Sequence, residues 1–194
     1  MATESEKIAF FDTYKDWAIL TQARSSVPSS ITLAQAALES GWGTSWLAKN
    51  ANNFFGIKCS KWWFGECVPR TDAGEPSQFR KYNSVYDSFI DHADFLVDNK
   101  RYNGCFEDTN YKNWAECLLN SGYTGIPPQT PSYAKDLITI IEKYGLNKYD
   151  KEGDIQMQTL PNTIIRNRKK LIWITIIIIV LLIFLWFVGK KIFK

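Results

Sequence analysis

The chain has 194 residues, a formal net charge of +3 and 15% aromatic residues, a length that allows one domain and a short appendage. Of its 23 basic residues, seven lie beyond Ile165, which leaves 16 basic against 20 acidic residues in the preceding part. Because this larger part is mildly acidic, the composition argues against nucleic acid as a partner.

In chain order, hydrophobic periodicity predicts a mostly helical chain with one β excursion, an α+β fold. Helices are predicted over 5–24, from Ser29 or Ser30 to about Ser40, from Thr44 or Ser45 to about Lys49, over 84–99, over about 110–120 and over 133–144. Residues 57–82 are rich in Gly, Pro and aromatic residues and predict a small β-hairpin or lobe. Gly145 is expected to end the last of these helices.

The C-terminal part has a different composition. Residues 151–170 are expected to form a polar and basic linker, and 190–194 a basic tail. Between them, 171–188 contain no charged residue and would span about 27 Å as a helix, close to a hydrocarbon core of about 30 Å. The sequence therefore predicts a transmembrane helix over 171–189 that contacts the lipid bilayer. No secretory signal is recognised at the start, and the flanking basic residues slightly favour a cytoplasmic domain.

Four cysteines are present, Cys59, Cys67, Cys105 and Cys117. Two disulfides have three connectivities, of which near-neighbour pairing gives Cys59–Cys67 and Cys105–Cys117. Free buried thiols are the alternative.

Histidine occurs once, as His92 on the apolar side of a predicted helix, where a structural role is expected. There is no zinc-ligand spacing and no phosphate-binding loop, so neither a metal nor another cofactor is expected.

Glu39 is the candidate catalytic residue, because it is the only acidic residue between Ser30 and Lys58. It ends an amphipathic helix and is followed directly by the segment Ser-Gly-Trp-Gly. A carboxyl group beside Trp42 and glycine backbone is partly desolvated, which favours its neutral, proton-donating form. A glycosidase needs such a general acid. The alternative is an ordinary surface glutamate.

Several motifs together resemble the bacterial glucosaminidase family, the endo-β-N-acetylglucosaminidase-type peptidoglycan hydrolases that include autolysins and the flagellar peptidoglycan hydrolase. The matching motifs are AALESGWG (36–43), NNFFGIK (52–58), FRKYNS (79–84), SGY (121–123) and PSYA (131–134). The resemblance implies a lysozyme-like catalytic domain over 1–150, with a groove beside a small β-lobe. It also implies peptidoglycan glycan strands as the substrate, cleaved at the β-1,4 bond after N-acetylglucosamine.

The resemblance makes Glu39 the general acid and implies a second carboxylate from the β-lobe. Glu66, Asp72 and Glu75 are the candidates, in the preferred order Glu75 and then Asp72, and assistance by the substrate's N-acetyl group is the alternative. Tyr123 matches a family tyrosine near the acid. The segment that follows it is longer here and lacks the family's aspartate.

Three further residues are expected to line sugar subsites, namely Trp42, Asn53 and Phe54. Tyr133 is expected either to do the same or to pack in the core. Relatives often carry a cysteine shortly before the Phe-Arg-x-Tyr motif, where this chain has Gln78. The resemblance therefore makes Cys67 the replacement partner of Cys59.

The sequence thus predicts a membrane-tethered peptidoglycan hydrolase, with a phage lysis enzyme as the preferred form. Such an enzyme would wait in the host cytoplasm until lysis, whereas other forms would face the cell wall. Two alternatives are a catalytically silent glycan-binding module and a phage particle or ejection component whose membrane segment is its main function.

Overall fold

The computed structural model describes residues 2–72, 74–125 and 131–159, with side chains as far as 156. Residues up to 157 form one unit. Its helices are α1 (Glu4–Ser25), α2 (Ser29–Glu39), α3 (Trp46–Ala51), α4 (Val85–Asp98), a 3₁₀ helix (Lys100–Glu107), α5 (Tyr111–Asn120), α6 (Tyr133–Tyr144) and α7 (Lys148–Thr159). Two strands, β1 (Cys67–Asp72) and β2 (Glu75–Arg80), form an antiparallel hairpin. The predicted mostly helical fold with a small β-lobe is confirmed.

Helix α2 lies at the centre of the helical part. It packs against α1, α5 and α6, and nine of its eleven residues are buried. Small side chains such as Ala34, Ala36 and Ala37 are fully buried and allow close approach of these neighbours. The start of α1 is fixed by a capping box between Thr3 and Glu6. The helix that ends at Glu39 is therefore the most deeply packed element around the site.

The β-hairpin projects from this core, and Phe79 is its one buried residue among those described. A partly buried ion pair joins it to α4. Arg80 Nη1 lies 2.7 Å from both carboxylate oxygens of Asp91, and the hydroxyl of Tyr82 donates to the same carboxylate. Asn52 and Asn53 donate to the backbone of Tyr82 and Arg80, which fastens the loop after α3 to the end of β2.

Helix α7 was not predicted from the sequence. It supplies the cap that α2 lacks, because Pro28 precedes α2 and offers no side-chain acceptor. The carboxylate of Asp150 accepts hydrogen bonds from the backbone N–H and the hydroxyl of Ser30, at 2.8 and 2.7 Å. Gly153 packs so closely on Gln22 of α1 that an added Cβ would lie 2.4 Å from that side chain. The linker expected from residue 151 is thus corrected, since the chain stays helical to Thr159.

Two disulfides, Cys59–Cys67 and Cys105–Cys117, confirm the near-neighbour pairing, and the alternative of free thiols is wrong.

His92 is fully buried and stacks on Phe55 with ring centroids 3.9 Å apart. Burial lowers the pKa of His92 to about 3, so its imidazole is neutral at physiological pH. This placement agrees with the predicted structural role.

None of the helices in the described part of the chain is both long and apolar enough to cross a membrane. The predicted span over 171–189, the tail over 190–194 and the linker beyond 159 lie outside the described residues.

Candidate active site

A turn with left-handed backbone conformation follows Glu39. Gly41, Trp42 and Gly43 have φ angles of 56°, 60° and 75°, in the left-handed region that glycine adopts without strain. The hydroxyl of Ser40 accepts a hydrogen bond from the backbone N–H of Gly43 at 2.7 Å and holds the turn closed. The helix therefore stops directly after the acid, and the Glu39 side chain lies at its end.

Beside this helix end lies an open cleft of about 820 Å³. The helical part contributes Glu39 and Trp46 to it, the hairpin contributes Asp72 and Phe79, and Tyr123 comes from the segment after α5. This volume lies in the range of ordinary ligand sites, about 300–1,000 Å³. A groove between the helices and the β-lobe is thus present, and the predicted acid lines it.

Glu39 is partly buried, and Tyr133 of α6 holds its carboxyl group. The Tyr133 hydroxyl donates to Glu39 Oε1 at 2.8 Å and accepts from Gln35 Nε2 at 2.9 Å. Burial raises the pKa of Glu39 above the ordinary value of 4.5, and the hydrogen bond from Tyr133 partly offsets this rise. The position at the C-terminal, negative end of the α2 dipole also disfavours the carboxylate. Glu39 is therefore set up to keep its proton to a higher pH than an exposed glutamate.

Tyr123 extends this arrangement into the cleft. Its ring stacks on that of Tyr133, with centroids 5.4 Å apart and planes 19° from parallel. Burial raises the pKa of both tyrosines well above the usual range, so both hydroxyls stay protonated. Tyr133 is buried, at 2% exposure, and its hydrogen bond positions Glu39, whereas Tyr123 lines the cleft. Of the two roles expected for Tyr133, its burial agrees with core packing, and its hydrogen bond to Glu39 adds a positioning role.

The candidate second carboxylates occupy different places. Asp72 lines the cleft and pairs with Lys58, with 2.6 Å between Lys58 Nζ and Asp72 Oδ2. Glu75 lies opposite Asp72 in the hairpin register but is exposed and lines no part of this cleft, and Glu66 pairs with Lys81 on the surface. The geometry therefore reverses the predicted order and favours Asp72 over Glu75.

Three predicted subsite residues lie elsewhere. Trp42 packs edge-on against Phe10, Phe11 and Tyr144, because the left-handed turn directs it to the α1 side. Asn53 is buried, and its side chain bonds to the backbone of Ile57 and Arg80. Phe54 is buried among core aromatic rings. Because none of the three lines the cleft, their assignment to sugar subsites is corrected.

Trp46 is a cleft residue that the sequence analysis missed. It begins α3, is 42% exposed and lines the cleft, and the guanidinium of Arg70 lies 4.5 Å from its ring centroid. This pair offers an aromatic face and hydrogen-bond donors to a sugar. The available signal was the helix cap at Ser45, which places the next side chain at an exposed helix start.

We expect Tyr133→Phe to move the alkaline limb of the pH–rate profile upward. The general acid must be protonated, so activity falls as Glu39 loses its proton, at a pH above 4.5 because the pKa is raised. Removing the Tyr133 donor destabilises the carboxylate and so raises this pKa further. The measurement is kcat/KM against pH. Tyr111→Phe, which alters a surface contact with Glu142, is the matched control and should leave the limb in place. A downward shift in Tyr133→Phe would contradict the assignment.

Comparison with known proteins agrees with this geometry. The family model described as mannosyl-glycoprotein endo-beta-N-acetylglucosaminidase matches residues 15–146. Exo-glucosaminidase LytG of Bacillus subtilis is 38% identical over 159 residues, which cover 75% of this chain and 54% of LytG. Peptidoglycan hydrolase FlgJ of Vibrio parahaemolyticus is 31% identical over 148 residues, 70% of this chain and 46% of FlgJ. The chain thus spans about half the length of these relatives.

The fold is also similar to a solved structure, the catalytic domain of the autolysin Auto from Listeria monocytogenes. The TM-score is 0.63 at 28% identity, and the match covers 77% of this chain and 90% of that domain. The motifs around Glu39, the helical fold with its hairpin and the matched family model lead to the same assignment. The chain belongs to the glucosaminidase family of glycoside hydrolases.

Proposed function

We propose that this chain hydrolyses the β-1,4 glycosidic bond after N-acetylglucosamine in bacterial peptidoglycan. The observation that carries the proposal is the partly buried Glu39, held by Tyr133 at the edge of a cleft large enough for sugar rings. The names of LytG, a glucosaminidase, and FlgJ, a peptidoglycan hydrolase, support the bond and the substrate.

In the proposed reaction Glu39 donates its proton to the bridging oxygen as the glycosidic bond breaks. The bonding electron pair goes to that oxygen, and the sugar passes through an oxocarbenium-like state. Either Asp72 or the substrate's own N-acetyl group stabilises this positive charge. Water then adds to the sugar carbon, and its released proton restores the acid. Tyr133 keeps Glu39 in one orientation throughout.

Product analysis tests the bond. Digestion of purified peptidoglycan followed by borohydride reduction should give fragments that end in N-acetylglucosaminitol, identified by mass spectrometry. Glu39→Gln should give none above background. Fragments that end in N-acetylmuramitol would place the cut on the other side and overturn the bond assignment, while the hydrolase assignment would stand.

We further propose that residues 171–189 anchor the enzyme in a membrane and that it acts as a phage-type lysis enzyme. The support is the uncharged run over 171–188 with basic residues on both sides. The two disulfides favour a lysis enzyme whose domain is already exposed to an oxidising compartment over the form that waits in the host cytoplasm. Alkaline carbonate extraction should leave the full chain with the membrane. Release of the chain would exclude the anchor.

A further inference from the structure

A nine-residue loop, Cys59 to Cys67, is closed by a disulfide and carries aromatic side chains on its outer side. We call this segment the aromatic loop. Trp62 is 72% exposed and Phe64 is 92% exposed, the highest exposure among the exposed large hydrophobic residues of the described chain. Scattered exposed apolar residues need no explanation, but two on one short loop mark a contact surface.

The loop is held in place by the residue between them. Trp63 is partly buried, its indole N–H donates to the backbone carbonyl of Glu66 at 3.1 Å, and its backbone N–H donates to the carbonyl of Ser60. The Arg80 guanidinium lies 4.7 Å from the Trp63 ring centroid, and it donates a hydrogen bond to the carboxylate of Asp91. Because Trp63 points inward, Trp62 and Phe64 are presented outward by an anchored loop, with little ordering entropy left to lose on binding.

The loop also continues directly from the cleft. Lys58, Cys59 and Ser60 line the cleft, and Trp62 follows two residues later. The same cleft contains the Trp46–Arg70 pair. A chain of sugars longer than the cleft that leaves it at this end would pass over the outer face of the loop.

The charge of the loop argues against an anionic membrane or nucleic acid as the occupant. Between its cysteines it carries one lysine, Lys61, and one glutamate, Glu66, which pairs with Lys81. Binding to anionic lipid or to phosphates uses clusters of basic residues. Lys61 Nζ lies 4.9 Å from the Trp62 ring centroid, which is a single cation and not a basic cluster. Aromatic rings with so little net charge around them instead suit the apolar faces of neutral N-acetylated pyranose rings.

We infer that the aromatic loop is a second glycan-binding site, which holds a peptidoglycan strand outside the cleft through Trp62 and Phe64. This inference rests on the proposed function and deepens it. It makes the enzyme favour polymeric glycan over short fragments, because only a strand that extends beyond the cleft reaches both surfaces.

The test uses the full chain in mild detergent, with Glu39→Gln as background so that the substrate survives. Co-sedimentation with purified insoluble peptidoglycan measures affinity. Adding Trp62→Ala and Phe64→Ala should weaken binding about tenfold, as expected for two partly buried rings. Ile8→Ala, which removes an exposed apolar side chain from α1, is the matched control and should change nothing. With Glu39 intact, the double variant should cleave a short soluble glycan at the parent rate.

Each outcome has one meaning. Equal binding of the background and the double variant overturns the loop site and leaves the proposed function untouched. If the active parent neither binds nor cleaves peptidoglycan, the proposed function itself fails. A lipid role is examined in vesicles of brominated phosphatidylcholine that contain the full chain. Trp173 and Trp186 of the proposed span would be quenched in every variant. An additional part of the quenching that is lost in Trp62→Ala would assign the loop to the bilayer and overturn the glycan site.

Discussion

Glu39→Gln is expected to lower the rate of peptidoglycan hydrolysis about a thousandfold, within the range of about 10² to 10⁴ that general acid catalysis contributes. Glutamine has nearly the same volume, and its carbonyl oxygen still accepts the hydrogen bond that Tyr133 now donates at 2.8 Å. What it lacks is a proton for the leaving oxygen. The loss should therefore appear in kcat, with binding to insoluble peptidoglycan retained.

The control is Glu116→Gln, the same change at an exposed position of α5, which should keep the parent rate within about twofold. Release of reducing ends from purified peptidoglycan measures the rate, and thermal unfolding checks that the variants fold. Parent-like hydrolysis by Glu39→Gln would show that another group supplies the proton.

Asp91→Ala is expected to lower the free energy of unfolding by about 3 kcal/mol. The side chains of Arg80 and Asp91 are only 14% and 21% exposed, and Asp91 is also the acceptor for Tyr82. Removing it leaves a largely buried guanidinium and a buried hydroxyl without their partner. Because this pair fastens the hairpin to α4, the cleft wall should loosen and activity should fall as well. Urea unfolding followed by tryptophan fluorescence measures the change.

Asp94→Ala is the matched control on the same helix. Asp94 also holds an arginine through both oxygens, at 2.7 and 2.6 Å from Arg24 Nη2, but about a third of each side chain is exposed. Exposed pairs contribute at most about 1 kcal/mol, so the two variants should differ by about 2 kcal/mol. Equal losses would show that burial does not determine the value of the Arg80–Asp91 pair.

Local pattern in the sequence predicted most helices within a few residues, because apolar spacing, caps at Ser45 and Ser84 and the stop at Gly145 are all encoded nearby. The hairpin was predicted only within a broader range, 57–82, of which its strands occupy the later part. Helix α7 escaped prediction for the opposite reason. It has no marked apolar face, and it is held by polar contacts such as Gln22 Nε2 to Asp154, residues 132 positions apart. Periodicity within a segment contains no information about such contacts.

In the candidate site, too, local sequence signals were predictable and contacts between distant residues were not. Glu39 was identifiable because its helix end, the glycines and the missing acidic neighbours are local. Its hydrogen-bond partner Tyr133 lies 94 residues away, and only the fold brings the two together. Trp42 was expected to line a sugar subsite because it follows Glu39 by only three positions. It faces α1 instead, because the turn between the two residues is left-handed.

The hydrogen bonds of Asp150 and Tyr133 together restrict the motion of helix α2. Asp150 holds Ser30 at the start of α2, and Tyr133 holds Glu39 at its end, nine residues and about 14 Å further along the helix. With both extremities tied to the C-terminal helices, α2 has no freedom to slide along its own axis. The acid is thus stationary, and any closing movement around a bound sugar must come from the opposite, hairpin side.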